Sequence, residues 1–219
     1  MRYAEAVMAT YRPRDRYFQK ARDQGLPSRA AFKLEELLER YRLARTDARV
    51  VDLECAPGGW LAILSRAVAP GGRVIGVDLV PCRAMSETVR VVTGDIRDSS
   101  VRAQVADLLG GSADLVTSDL APKLSGIADR DRAQMEELLE VALAVSRTLL
   151  RPRGAMVAKL FMGPGFEALI ARFKQYFGRV EVARTRASRP GSAELYVVAR
   201  DFRASPEKIG NEPPGGQAD

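Results

Sequence analysis

Short apolar runs alternate along this chain with longer segments of helical period. ARVVDL (48–53), RVIGVDL (73–79), RVVTG (90–94), ADLVTSD (113–119) and GAMVAKLF (154–161) have the length and β-branched content of buried strands. Between and after them, 58–69, 99–110, 130–150 and 164–177 carry the spacing of helices, with PGG (70–72) as a turn. GRVEVAR (178–184) and AELYVVAR (193–200) read as a closing antiparallel pair. Ahead of the first strand, Pro27-Ser28 and RAAFKLEELLERY form an amphipathic helix signal, with Ser28 as N-cap and Phe32, Leu34, Leu37, Leu38 and Tyr41 on the apolar side. Strands separated by helices predict an α/β fold, a mostly parallel seven-stranded sheet with helices on both faces. The pattern divides the chain into a basic N-terminal extension (1–27), one folded domain (28–203) and a tail (204–219) without apolar period, expected to be disordered.

Composition narrows the chemistry. The chain has 219 residues, 46% apolar and 28% charged, which is globular usage with enough aliphatic material for a core. No apolar run reaches the roughly 20 residues of a membrane span, and the first thirty residues are too polar for a signal peptide. A soluble, cytoplasmic protein is expected. Two cysteines, Cys55 and Cys82, make neither a disulfide scaffold nor a zinc site, so no metal is expected, and Cys82 reads as an ordinary loop thiol. With no His, Ser-His-Asp hydrolases, His-dependent nucleases and most zinc enzymes are excluded. Any general base must be Lys, a carboxylate, Tyr or Cys.

The formal charge of +6 is unevenly spread. Residues 1–33 and 172–190 each sum to +5, leaving −4 for the remainder. Tyr3, Tyr11, Tyr17 and Phe18 interleave with the N-terminal cations, the mixture expected where bases stack while phosphates are neutralised. Two such clusters on an otherwise acidic chain point to a polyanionic partner, most simply nucleic acid.

In a doubly wound sheet, ligands sit beyond the carboxyl ends of the strands. The first such loop, DLECAPGGW (52–60), contains Gly58-Gly59, where backbone approaches a ligand closely. Asp78 ends the second strand, a suitable place for a carboxylate accepting ribose hydroxyls, and Asp95 and Asp119 follow the third and fourth. Neither G-x-G-x-x-G nor G-x-x-x-x-G-K-[ST] is present, so no phosphate cradle is expected. Carboxylates ending successive strands suit a positively charged nucleoside ligand such as S-adenosylmethionine.

From about Asp15 to Arg200 the chain resembles the FtsJ/RrmJ family of ribosomal RNA ribose 2′-O-methyltransferases. The resemblance is carried by SRAAFKL (28–34), APGGW (56–60), the VDL of 77–79, GD (94–95), SDLAPKLSG (118–126), VAKLF (157–161) and SAELYVVA (192–199). It implies the Rossmann-like class I methyltransferase fold, with S-adenosyl-L-methionine as methyl donor. The family's Lys-Asp-Lys-Glu tetrad falls on Lys33, Asp119, Lys159 and Glu194, and its donor contacts fall on Gly58, Trp60, Asp78, Asp95 and Asp119. The implied reaction is methylation of a ribose 2′-hydroxyl, a uridine of 23S rRNA in the large ribosomal subunit, by a monomer.

The chemistry of those side chains is consistent with that role. A ribose hydroxyl is a poor nucleophile, so its proton must be removed or shared while it is aligned with the methyl group. Lys159 is a suitable base if its ammonium is destabilised, as Lys33 nearby and partial burial would do. Asp119 would orient Lys159, and Glu194 would hold Lys33. Two positions depart from the family pattern: Ala31 stands where an aromatic residue is frequent, and Glu54 where Gly is usual. A charged side chain in the donor loop leaves an alternative, an RNA-binding ribosome-assembly factor with weak or no methylation.

Overall fold

The computed structural model describes residues 16–120, 125–189 and 191–204. The start of the basic extension and nearly all of the tail expected to be disordered lie outside the described residues. The chain runs α1 (Arg16–Asp23), α2 (Ala31–Tyr41), β1 (Arg49–Leu53), α3 (Gly59–Val68), β2 (Arg73–Asp78), β3 (Val89–Thr93) and α4 (Ser99–Leu109). It continues through β4 (Ala113–Ser118), α5 (Ala128–Leu149), β5 (Leu150–Phe161), α6 (Phe166–Tyr176), β6 (Phe177–Ala183) and β7 (Glu194–Phe202).

These strands form one sheet in the order β3-β2-β1-β4-β5-β7-β6. The first five are mutually parallel, whereas β7 runs antiparallel to both β5 and β6. β1 and β4 are interior neighbours, and the order reverses between them. The carboxyl ends of β1 to β5 therefore meet at one edge, with the crevice of a doubly wound fold there.

Alternation within each strand divides the core in two. Val50, Val74, Leu115, Val157 and Val198 point to one face, where Phe32 and Leu37 of α2 and Leu61 and Leu64 of α3 cover them. Val51, Ile75, Val116, Met156 and Ala199 point to the other, under Leu139 and Leu143 of α5 and Phe173 of α6. Burying each such side chain contributes roughly 1.5–3 kcal/mol, and the double cover explains why the strands read as near-continuous apolar runs.

Three boundaries differ from the sequence reading. α1 lies within the segment assigned to the basic extension; RYFQKARD is short and strongly basic, and only its Ala21 is buried. Ser28 is not the N-cap of α2. The helix begins at Ala31, because i→i−3 bonds from Ala31 to Ser28 and from Phe32 to Arg29 first form a tighter turn, inside which Ser28 Oγ accepts the Ala30 N–H at 3.0 Å. β5 starts at Leu150, directly after α5, rather than at Gly154. Arg153, at φ +63°, and a register shift opposite β4 let the strand absorb Pro152.

Candidate active site

The topology brings four charged residues to one edge. Asp119 follows β4, Lys159 lies near the end of the parallel neighbour β5, and antiparallel β7 begins there with Glu194. Lys33 enters from α2, above the same face. Lys33 Nζ donates to both Glu194 carboxylate oxygens at 2.7 Å. Lys159 Nζ lies 2.8 Å from Asp119 Oδ1, as an ion pair directed off the hydrogen-bonding axis. The two pairs are close enough for Lys33 and Glu194 to act on Asp119, and for Lys159 to act on Glu194.

Their surroundings tune the two carboxylates in opposite directions. Burial pushes Asp119 above the ordinary carboxylate range although Lys159 opposes the shift. Burial also acts to raise Glu194, but the charge and hydrogen bonds of Lys33, with help from Ser188, hold it below that range. Ser188 Oγ and Tyr196 Oη donate to Glu194 Oε1 at 2.9 and 3.2 Å. Burial and the two nearby carboxylates raise the Tyr196 phenol well above its ordinary value, so it remains a donor. Sequence reasoning missed both hydroxyls. Tyr196 had a signal, since it lies two residues beyond Glu194 on the same face of its strand.

A cleft of about 190 Å³ opens at the carboxyl ends of β1, β2 and β3, with Glu54, Asp78, Asp95 and Arg97 on its walls among Leu53, Ile96 and Val141. Asp78 accepts the N–H of Ala56 in the β1–α3 loop and the N–H of Val80, both at 2.8 Å. Each oxygen keeps a lone pair for a further donor. Arg97 covers Asp95, reaching its oxygens at 2.6–3.0 Å through Nε and Nη2. These bonds hold the Asp95 carboxyl below its ordinary range.

Gly58, Trp60 and Asp119 do not line this cleft. Gly58 caps α3 at φ +102°, a backbone conformation that favours glycine. Trp60 is buried: its Nε1–H donates to Ala30 O at 3.0 Å, and its ring packs 6.1 Å from that of Tyr196. It thereby links the loop helix to α2 and to the charged group. Glu54 takes φ +61°, the left-handed conformation glycine would supply, and its side chain is exposed at the cleft wall.

The two basic stretches, far apart in sequence, meet beside Lys33. Arg29 Nη2 donates to Ala187 O, and Arg186 both donates its backbone N–H to Glu36 at 2.9 Å and pairs with that carboxylate through Nε. Arg16, Lys20 and Arg186 line one groove there, together with Tyr17 and three carboxylates, Glu35, Glu36 and Glu39. Among the described residues no helix is long and apolar enough to cross a membrane, and no cluster of His, Cys, Asp or Glu has the makings of a metal site.

The strand order, with β7 antiparallel between β5 and β6, and the acidic crevice at the strand ends define a Rossmann-like class I methyltransferase fold. Solved structures agree: a Plasmodium falciparum protein described as a ribosomal RNA methyltransferase aligns with TM-score 0.69 at 22% identity, covering 80% of this chain and 97% of its own. Aeropyrum pernix fibrillarin, solved with natively bound S-adenosyl-L-methionine, aligns with TM-score 0.56 at 18% identity over 78% of this chain and 73% of its own. The model of the FtsJ-like methyltransferase family matches residues 26–202, and this chain belongs to that family. Among curated relatives, ribosomal RNA large subunit methyltransferase E of Myxococcus xanthus is 43% identical across 89% of this chain and 92% of its own. The protein of the same name from Methanothrix thermoacetophila is 39% identical over 90% of this chain and 76% of its own.

Proposed function

We propose that this protein transfers a methyl group from S-adenosylmethionine to the 2′-hydroxyl of a ribose in RNA, a uridine of 23S rRNA in the large ribosomal subunit. The observation that carries the reading is the pair of lysine–carboxylate ion pairs, Lys159–Asp119 and Lys33–Glu194, assembled beside a carboxylate-lined crevice. The names of the curated relatives support ribosomal RNA as substrate.

The crevice suits the donor on its own chemistry. Asp78 has lone pairs free for two ribose hydroxyls, Asp95 stands at the next strand end, and apolar Leu53, Ile96 and Val141 offer a surface for a purine. When bound there, S-adenosylmethionine supplies an electrophilic methyl group. Lys159, once neutral, accepts the proton of the ribose hydroxyl at Nζ as that oxygen attacks. Asp119 fixes the direction of the Lys159 amine. Lys33, held by Glu194, presents a second cation that steadies the developing oxyanion. Arg16, Lys20 and Arg186 would meet the RNA backbone from the groove that they share with Glu35, Glu36 and Glu39.

The test incubates the protein with labelled donor and large subunits from cells lacking it, then maps the modified ribose. Lys159→Ala should lower transfer by roughly 10³-fold while leaving donor binding, followed by calorimetry, nearly intact. Retained transfer in that variant would overturn the assignment of the base.

A further inference from the structure

Asp52 lies on β1, an interior strand, opposite Gly76 of β2 and Thr117 of β4. Its side chain is completely buried. Thr117 Oγ1 donates to Oδ1 at 2.6 Å, but among the described residues Oδ2 has no hydrogen-bond partner. Among the described residues no cation pairs with it. On the side of Gly76 the space is filled by Cys55 Sγ and Leu61, which would meet a Cβ on that glycine at 2.8 and 2.9 Å. One neutral hydrogen bond in apolar surroundings is poor compensation for a buried negative charge.

The charged groups facing Asp52 make ionisation harder still. Asp78 ends β2 and Asp119 follows β4, the latter paired with Lys159 of β5 and influenced by Lys33 of α2 and Glu194 of β7. From the β1–α3 loop, the Cys55 thiol is kept protonated by burial and by Asp52 itself, and α3 contributes apolar Leu61. Burial pushes the Asp52 carboxyl up to about 8; the Thr117 hydrogen bond works against this, and Asp119 and Asp78 add to it. A neutral acid therefore sits beneath the crevice, with an unused polar atom.

We propose that Asp52 is a specificity-determining residue that couples binding of the positively charged methyl donor to release of one proton. It thereby favours the sulfonium donor over the neutral thioether product by an amount that grows with pH. The inference rests on the donor site proposed above. A cation held near Asp78 and Asp119 lies within electrostatic reach of Asp52, since both carboxylates already act on it. Such a cation stabilises the ionised form, so Oδ2 gives up its proton to solvent on binding and regains it when the neutral product replaces the donor.

The sign follows from linkage. Below the value of Asp52 in the complex the acid is protonated with or without donor, and affinity is flat. Between that value and about 8, where the free protein titrates, donor affinity rises with pH by at most about tenfold per unit. Above it, affinity levels off. S-adenosylhomocysteine, which shares every other titratable group of the donor, should show little slope.

Calorimetry on the full chain at pH 6, 7 and 8, in buffers of different ionisation enthalpy, reads both affinity and protons released. Wild type should bind the donor several-fold more tightly with each unit and release close to one proton at pH 7, while product affinity stays level. Asp52→Asn should abolish slope and release together and retain product binding. If that variant does not fold, Thr117→Val, which removes the hydrogen bond that favours the ionised acid, should move the rise to higher pH. A donor affinity independent of pH beside normal product binding, a slope that survives in Asp52→Asn, or a profile unmoved in Thr117→Val overturns the coupling. No binding of either compound at any pH overturns the donor site itself and this inference with it.

Discussion

The two halves of the crevice treat carboxylates differently. On the β4-β5-β7 side, Asp119 and Glu194 each face a lysine at 2.8 and 2.7 Å, and the group is close to neutral in sum. On the β1-β2-β3 side, Asp78 accepts two backbone N–H groups and Asp52 a single hydroxyl, at Oδ1, while Glu54 adds a charge at the wall. Asp95 has a basic partner, the exposed Arg97. A neutral assembly with movable protons is what proton transfer from a hydroxyl needs. An excess of acceptors and negative charge is what a cationic nucleoside needs. The same sheet edge thus separates a proton-handling side from a cation-holding side.

Lys159→Ala breaks the first side and spares the second, and it is the largest effect expected. Next comes Glu194→Ala, which leaves the 14%-exposed Lys33 without its counter-charge and takes the acceptor from Ser188 and Tyr196. The cost should be about 3 kcal/mol at pH 7, read as a shift in denaturant midpoint. Because Glu194 is held below its ordinary value, its stabilisation is complete above the unfolded value near 4.3 and fades as pH falls through the lower folded value. The deficit of the variant should therefore narrow in acid. A loss under 1 kcal/mol that ignores pH would place the pair among weak surface pairs.

Asp78→Ala attacks the other side. It removes the acceptor for Ala56 and Val80 and both lone pairs offered to a ribose. Donor affinity should fall about 30-fold, near 2 kcal/mol, with transfer recovering at saturating donor. Unchanged affinity would move the donor away from the β2 end.

Much of this division is legible in the chain, because parallel strands linked by helices must present their carboxyl ends together. That argument puts Asp78, Asp95 and Asp119 on one edge without coordinates. It does not reveal partners. Arg97 over Asp95 and Ser188 beneath Glu194 depend on loop conformations that no periodicity encodes. The meeting of Arg29 with Ala187 joins segments about 160 residues apart, so the two basic clusters look separate until folded. Asp52 reads as an ordinary acid in VVDL; its burial follows from the interior place of β1 between β2 and β4, and its missing partner from Gly76 and Thr117 on those flanking strands.

Glu54 carries the smallest expected effect and the sharpest test of how the cation-holding side works. Its identity suggested a donor loop obstructed by a bulky charge. In the fold, its backbone already has the left-handed φ of +61° that glycine would supply, its N–H donates to Val77 O at 2.9 Å, and its side chain is exposed. Glu54→Gly would relieve about 1 kcal/mol of conformational strain but add a similar entropy cost to folding, so stability should change by less than about 0.5 kcal/mol. An exposed carboxylate contributes less than about 1 kcal/mol to a nearby cation. Donor affinity in Glu54→Gly should accordingly fall by no more than about fivefold, most visibly at low salt, where screening is weakest. A gain of tenfold or more would show that the side chain does obstruct the crevice, and that negative charge at this wall hinders the cation rather than holding it.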